Sequence, residues 1–253
     1  MSKVLIVVAG EVDNITTSPT TISPTTMAMV SALKSAIVAS NNPPATVEIV
    51  TATSQVGKYS WLQIGQPDDL IVCPLTLNLP DLPDDLPLPS SGVIAACRDV
   101  NGLRQYLAHK LQVAVGDGCF WLPVVLTAKG PLYGEAIGLT DAAVDQKLPE
   151  DLSLFEFRYY QPHHLSDVVR QSLYQMAHQL LQLLSAPPAT YLVQFGLRNY
   201  QIWFDRLLPF PAAPALASVG VQKPDLFACH WYCLRGLPVH DLQILDQRRK
   251  SIN

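Results

Sequence analysis

The chain has 253 residues, a net charge of −4 and a pI near 5.8; 49% of it is hydrophobic and only 15% charged, where about 25% charged is usual. A chain of this length buries a substantial core in one domain or two closely joined ones, and its low charge leaves room for an apolar face that meets a second copy or a protein partner. The totals exclude the basic stripe that nucleic-acid binding needs, no apolar run reaches the roughly 18 residues of a membrane span, and five scattered cysteines point to reduced thiols in a cytoplasm.

Lys3–Ala9 (KVLIVVA) reads as a parallel strand buried on both faces. It is too short, and too poorly flanked, for a signal peptide. The Thr- and Pro-rich stretch that follows, with SPTT at 18–21 and 23–26, reads as loop. Pro24–Ser40 predicts a helix whose apolar face is Met27, Val30, Leu33 and Ile37, stopped by Asn41-Asn42-Pro43-Pro44. Thr46–Val50 and Leu70–Val72, extended by Cys73, are further strands. Asn78–Ser91 is an acidic, proline-rich loop, and Gly92–Ala96 a short strand. Asp99 caps a helix through Leu111 with Leu103, Leu107 and Leu111 on one face. The β-α-β-β opening predicts a Rossmann-like α/β domain over residues 1–111.

Residues 112–253 form a second, α+β unit. Phe120–Leu126 is a strand. Gly130, Gly134 and Gly138 then recur in AKGPLYGEAIGL, a turn between two strands. After an acidic irregular region, Leu154–Tyr160 alternates as a strand does. Ser166 starts a helix to Leu184 with Val169, Leu173, Met176, Ala177, Leu180 and Leu184 on one face, ended by Pro187-Pro188. Two apolar runs, Tyr191–Leu197 and Gln201–Leu207, flank Arg198-Asn199-Tyr200 as a hairpin. A last short helix spans Pro224–Arg235.

Asp205 stands out because an ionised carboxylate on an apolar strand is costly unless paired. Either Arg206 or a bound ligand accounts for it, and it is the best candidate for a catalytic acid. A ligand-binding set consists of Gly10, Asp13 and Asn14 after the first strand, where parallel sheets bind ligands, with Lys129, Gly130, Gly134, Asp205 and Arg206. The bland alternatives are a plain βα loop, a β-turn and a salt bridge. No GxGxxG, P-loop or GxSxG pattern occurs. Cys229, His230 and Cys233 give half of a zinc site at helical spacing; buried free thiols are the alternative. His163 and His164 lie at a strand-to-helix loop, and His178 on the polar side of its helix.

From Phe120 onward, about half the chain resembles the C-terminal lobe of ATP-grasp ligases, most of all the purine-biosynthetic carboxylase branch. FWLPVVLTAKGPLYGEAIG is similar to its opening strands and SDVVRQSLYQMAHQLLQLL to its helix. YLVQFGLRNYQIWFDRLLPFPAAPALAS is similar to its hairpin and exit, and CHWYCLRGLPVHDL to its closing helix and GLP turn. The resemblance implies bound ATP and Mg²⁺, with metal-binding glutamates near Gln194 and at Asp205 and an asparagine at Leu207. Here those positions hold a neutral amide, a shorter acid and a leucine. The family's nucleotide lid has no room, because only the eight residues Gln112 to Cys119 lie between the helix and the Phe120 strand. The resemblance therefore implies a lidless, reduced ATP-grasp-like lobe without a working ATP–Mg²⁺ site: a binding or assembly protein rather than an enzyme. A small enzyme or ligand-binding protein acting on an anionic metabolite or nucleotide, and a zinc protein, are the alternatives.

Overall fold

The structure, a computed structural model, describes residues 3–9, 22–40, 45–52, 70–79, 88, 90–140 and 159–245. Gly10, Asp13, Asn14 and most of the proline-rich loop lie outside them. Among the described residues the N-terminal sheet has three parallel strands, β1 (Lys3–Val8), β2 (Thr46–Thr51) and β3 (Leu70–Pro74), in the order β2-β1-β3. Alternation along β1 sends Val4, Ile6 and Val8 into one core and Leu5 and Val7 into another. This is the two-faced burial expected of an all-aliphatic strand.

Helix α1 (Pro24–Ala39) starts at Ser23, whose hydroxyl accepts the Thr26 N–H at 3.2 Å, with Pro24 in the first turn. Its buried stripe is Met29, Val30, Leu33, Ala36 and Ile37, and Met27 is 47% exposed. Two neighbouring stripes fit the same 3–4 spacing, and packing against the sheet selects the one through Met29. The predicted strand at Gly92–Ala96 is instead part of helix α2 (Ser91–Arg98). Val93, Ile94 and Cys97 are buried at helical spacing, a period that so short an apolar run does not distinguish from a strand's. Helix α3 (Val100–Leu111) follows at once, and its first turn is closed by Asp99, which accepts the Gly102 N–H at 2.8 Å.

The second sheet contains β4 (Ala114–Val115), β5 (Phe120–Thr127), β6 (Gly130–Tyr133), β7 (Ala136–Leu139), β8 (Tyr159–His163), β9 (Ala189–Arg198) and β10 (Gln201–Leu208). Its order is β4-β10-β9-β5-β7-β8, with β6 also on β5; β4 runs parallel to β10 and the other pairings are antiparallel. The strand predicted at Leu154–Tyr160 is described only from Tyr159, and it continues through Pro162 to His163, at a sheet edge where proline is tolerated. His163 is thus a strand residue, not a loop one.

Helices cover both faces of this sheet. On one, Leu122, Val124, Tyr191, Val193, Phe195, Phe204 and Leu207 pack with Val93, Leu103 and Leu107 of α2 and α3 and with Leu173, Ala177 and Leu180 of α4 (Asp167–Leu183). On the other, Trp121, Val125 and Leu192 pack with Phe227 and Trp231 of α5 (Leu226–Leu234) and with Leu33 and Ile37 of α1. Trp231 Nε1 donates to Ser40 Oγ at 2.5 Å. So α1 serves both sheets, while α2 and α3, which precede residue 112, bury their apolar sides on the second. No helix among the described residues is long and apolar enough to cross a membrane.

Candidate functional site

The β9–β10 hairpin carries the site. Gln201 pairs with Arg198, leaving the two-residue turn Asn199-Tyr200, both with positive φ (50° and 64°). That is the turn whose twist matches the strands it joins. Further on, Phe204 faces Phe195 but Arg206 faces Gln194, so Asp205 is the extra residue of a β-bulge. A bulge re-aims a side chain and frees backbone groups from the ladder. Both effects are used here. Asp205 is 2% exposed; its Oδ1 meets Arg104 at 2.5 Å and Arg206 Nε at 3.1 Å, and its Oδ2 accepts the Gly118 N–H at 3.0 Å. Its backbone carbonyl accepts Arg104 Nε–H at 2.9 Å. The same guanidinium reaches Asp117 at 2.8 Å, and that hydrogen bond holds the exposed Asp117 carboxyl below the usual carboxylate range.

The eight-residue connection lies across these partners. Gly116 N–H donates to the Phe204 carbonyl at 2.9 Å, and the Gly118 carbonyl accepts Gln194 Nε2–H at 2.6 Å. Since β4 borders β10 and β5 borders β9, the segment 116–118 passes over both hairpin strands. Backbone lies on backbone here: a Cβ on Gly118 would sit 2.0 Å from the Phe195 carbonyl carbon, and one on Gly196 2.9 Å from the Asp117 oxygen. Only glycine permits that approach. Of the two explanations that the sequence offered for Asp205, Arg206 takes part, but the closer partner is Arg104 of α3.

The other candidates lie elsewhere. Phe120 faces Phe195 beside Asp205, whereas Thr127 faces Gly130 at the far end of β5. Seven residues at about 3.3 Å each separate those ends by roughly 23 Å, so Lys129 and Gly130 do not share a site with Asp205. Gly134 packs on Pro123 and Gln222 instead. His163 Nδ1 and the Tyr160 hydroxyl are 2.6 Å apart, and the imidazole stacks on Phe120 at 4.5 Å. Burial first, then His164, lowers the His163 pKa. His178 is exposed, as its helix side predicts.

Cys229, His230 and Cys233 are buried in the core under α5. Desolvation pushes the Cys233 thiol up to about 12 and the Cys229 thiol higher. Among the described residues no group of three or more His, Cys, Asp or Glu is placed to hold a metal ion. His230 Nδ1 accepts the Thr190 N–H at 3.2 Å, which puts its proton on Nε2, buried without a partner. Burial depresses this imidazole from 6.5 to about 3. Between those values the unfolded chain binds the extra proton, so stability present above pH 6.5 is lost as pH falls below it. From pH 7.5 to 5.5 the native chain is expected to lose about 1.4 kcal/mol more than His230→Gln. Urea unfolding of both proteins at the two pH values checks this, and equal losses would refute it.

No protein-family profile and no curated protein matches the chain. Solved structures do. Glycinamide-RNase-transformylase T from Mycobacterium tuberculosis superposes with a TM-score of 0.65 at 15% identity, over 94% of this chain and 80% of that one. N5-carboxyaminoimidazole ribonucleotide synthetase from Thermotoga maritima gives 0.65 at 9% identity, over 97% and 79%. A protein of the ATP-grasp superfamily from Archaeoglobus fulgidus gives 0.57 at 11%, over 96% and 91%. The chain has an ATP-grasp-like fold. The likeness spans nearly the whole chain, where the sequence resemblance began only at Phe120.

Within that ATP-grasp-like fold, the Mg²⁺ implied by the resemblance does not fit the residues present. Gln194 is neutral and turned to the Gly118 carbonyl. Both oxygens of Asp205 already have donors, two of them guanidinium groups that would repel a cation. Arg104, Asp117 and Gly118 escaped the sequence reading, although Gly116-Asp117-Gly118 in so short a connection is a signature of close backbone approach.

Proposed function

We propose that the protein is a non-catalytic binding or assembly protein on an ATP-grasp-like scaffold. One observation carries this reading. Asp205, which the sequence resemblance matches to a metal-binding glutamate of ATP-grasp ligases, is buried and satisfied by Arg104, Arg206 and Gly118. The short connection found where those ligases insert a lid lies over it. Admitting Mg²⁺ and phosphates would require breaking that buried pair and lifting the segment, at a cost of several kcal/mol. Four of the five thiols are buried and all are free, which suits a reducing compartment such as the cytoplasm.

The test is calorimetric titration with MgATP and MgADP, joined to a phosphate-release assay. The expected result is neither heat of binding nor turnover. Magnesium-dependent ATP turnover that disappears in Asp205→Asn, with the fold intact by circular dichroism, would overturn the proposal.

A further inference from the structure

We propose that Arg198 and Arg206, on the face of the β9–β10 hairpin crossed by segment 116–118, form a binding site for a carboxylate group. Arg206 pairs with Gln194, Trp203 with Gly196 and Gln201 with Arg198. Paired residues project from the same side of a sheet, as do alternate residues along one strand. Arg198, Trp203 and Arg206 therefore share one face, opposite Phe195 and Phe204, which pack under the helices. Three guanidinium groups edge the crossing segment. Arg198 Nη2 lies 3.9 Å from where a Gly116 Cβ would stand, and Arg104 meets Asp117 at 2.8 Å. Arg206 holds Asp205, which in turn accepts the Gly118 N–H. After Arg104, Arg206 and Arg198 also lower the Asp117 pKa, so the charges converge on this one segment.

Arg104 is fully engaged: its Nε–H goes to the Asp205 carbonyl and its Nη2 to both carboxylates. The other two retain donors. Arg198 lies over the Trp203 ring at 4.3 Å. Such a stack uses the face of a guanidinium, whereas its five N–H groups lie in its plane. Among the described residues none of those groups on Arg198 has an acceptor. Arg206 uses only Nε, on Asp205, and leaves Nη1 and Nη2 open on a side chain 42% exposed. Ring and acid thus fix two forks whose geometry matches a carboxylate, which lowers the cost of ordering them on binding. Charge selects the ligand. Among the described residues the cluster sets three guanidinium groups against two carboxylates, a local charge of +1 on a chain whose total is −4. A cation is repelled there, one carboxylate neutralises the cluster, and a phosphate dianion beside Asp117 overshoots it.

The inference rests on the scaffold reading and names the chemistry of what the scaffold holds. The test is nuclear magnetic resonance of the ¹⁵N-labelled full chain, following the arginine Nε–Hε signals during titration with acetate and, separately, with an end-blocked hexaglutamate peptide. The buffer contains EDTA and no nucleotide, so a failure here is separable from a failure of the scaffold reading, on which the MgATP titration reports. Saturable shifts at Arg198 and Arg206 are expected with both probes. A peptide more than about tenfold tighter per carboxylate assigns the site to an acidic segment of a protein partner, and equal affinity assigns it to a small free carboxylate. Arg198→Gln, which breaks no hydrogen bond within the chain, should weaken binding about fivefold or more with the circular dichroism unchanged. Asp117→Asn, which raises the local charge by one, should tighten it about threefold. Shifts that do not saturate, or that spread equally over the other arginines, overturn the proposal. So does an Asp117→Asn variant that binds no more tightly than the wild type, or inorganic phosphate that binds more tightly than acetate.

Discussion

Asp205→Ala is expected to destabilise the protein by about 3–5 kcal/mol, the range for removing one member of a buried ion pair. Three groups lose a partner, Arg104, Arg206 and the Gly118 N–H. The Arg104 side chain, 18% exposed, keeps the solvent-facing Asp117 and the backbone carbonyl of residue 205 but loses its buried carboxylate, and the Gly118 N–H loses the Asp205 acceptor. Asp205→Asn keeps the shape and one acceptor oxygen, and should cost about half as much. Urea unfolding should show a lower midpoint at an unchanged m-value. A double-mutant cycle with Arg104→Met should give a coupling of at least about 1 kcal/mol. A ligand-binding acid behaves in the opposite way, because its removal relieves repulsion in the empty protein. A loss under about 0.5 kcal/mol would return Asp205 to the class of functional acids and remove the basis for the scaffold reading.

Gly118→Ala should be comparably severe, at about 3 kcal/mol or more. The added methyl would meet the Phe195 carbonyl carbon at 2.0 Å, its oxygen at 2.2 Å and the Gly196 nitrogen at 2.4 Å. All three are backbone atoms of the central hairpin and cannot rotate away as a side chain does. The segment must lift, and lifting it breaks the Gly118 bonds to Asp205 and Gln194 together. Gly92→Ala is the control, since its Cβ meets nothing within 4 Å; it should change stability by less than about 1 kcal/mol, in the stabilising direction. Thermal and urea unfolding of the pair check the contrast. Equal behaviour of the two variants would mean that segment 116–118 is not pressed on the hairpin.

The hairpin illustrates what was legible. Its strands, its turn and the isolation of Asp205 all follow from alternation and turn chemistry over a few residues. The bulge does not, because register is a property of two strands and not of one. Helix α3 shows the same division. Its cap at Asp99 and its buried Leu103 and Leu107 were readable from local spacing, but Arg104, on the same helix, carried no local sign of its role. Helix α2 was misread as a strand because five apolar residues lack the length that separates the two periods. The cysteine–histidine cluster was readable as a spacing; only the fold showed that all three side chains are buried in the core.

By itself the sequence determined most strands of both sheets, though not the short β4, most of the apolar faces that join them, the ATP-grasp-like order of the C-terminal half and the shortness of the connection between Leu111 and Phe120. These depend on periodicity, caps and turns, interactions that reach about four residues along the chain. The tertiary structure alone decided what becomes of Asp205. Its closest partner, Arg104, lies 101 residues away, and Gly118 lies 87 away. Such pairs form only once the helix is docked on the sheet, and a low-dielectric interior then makes the carboxylate a structural tie rather than a free ligand.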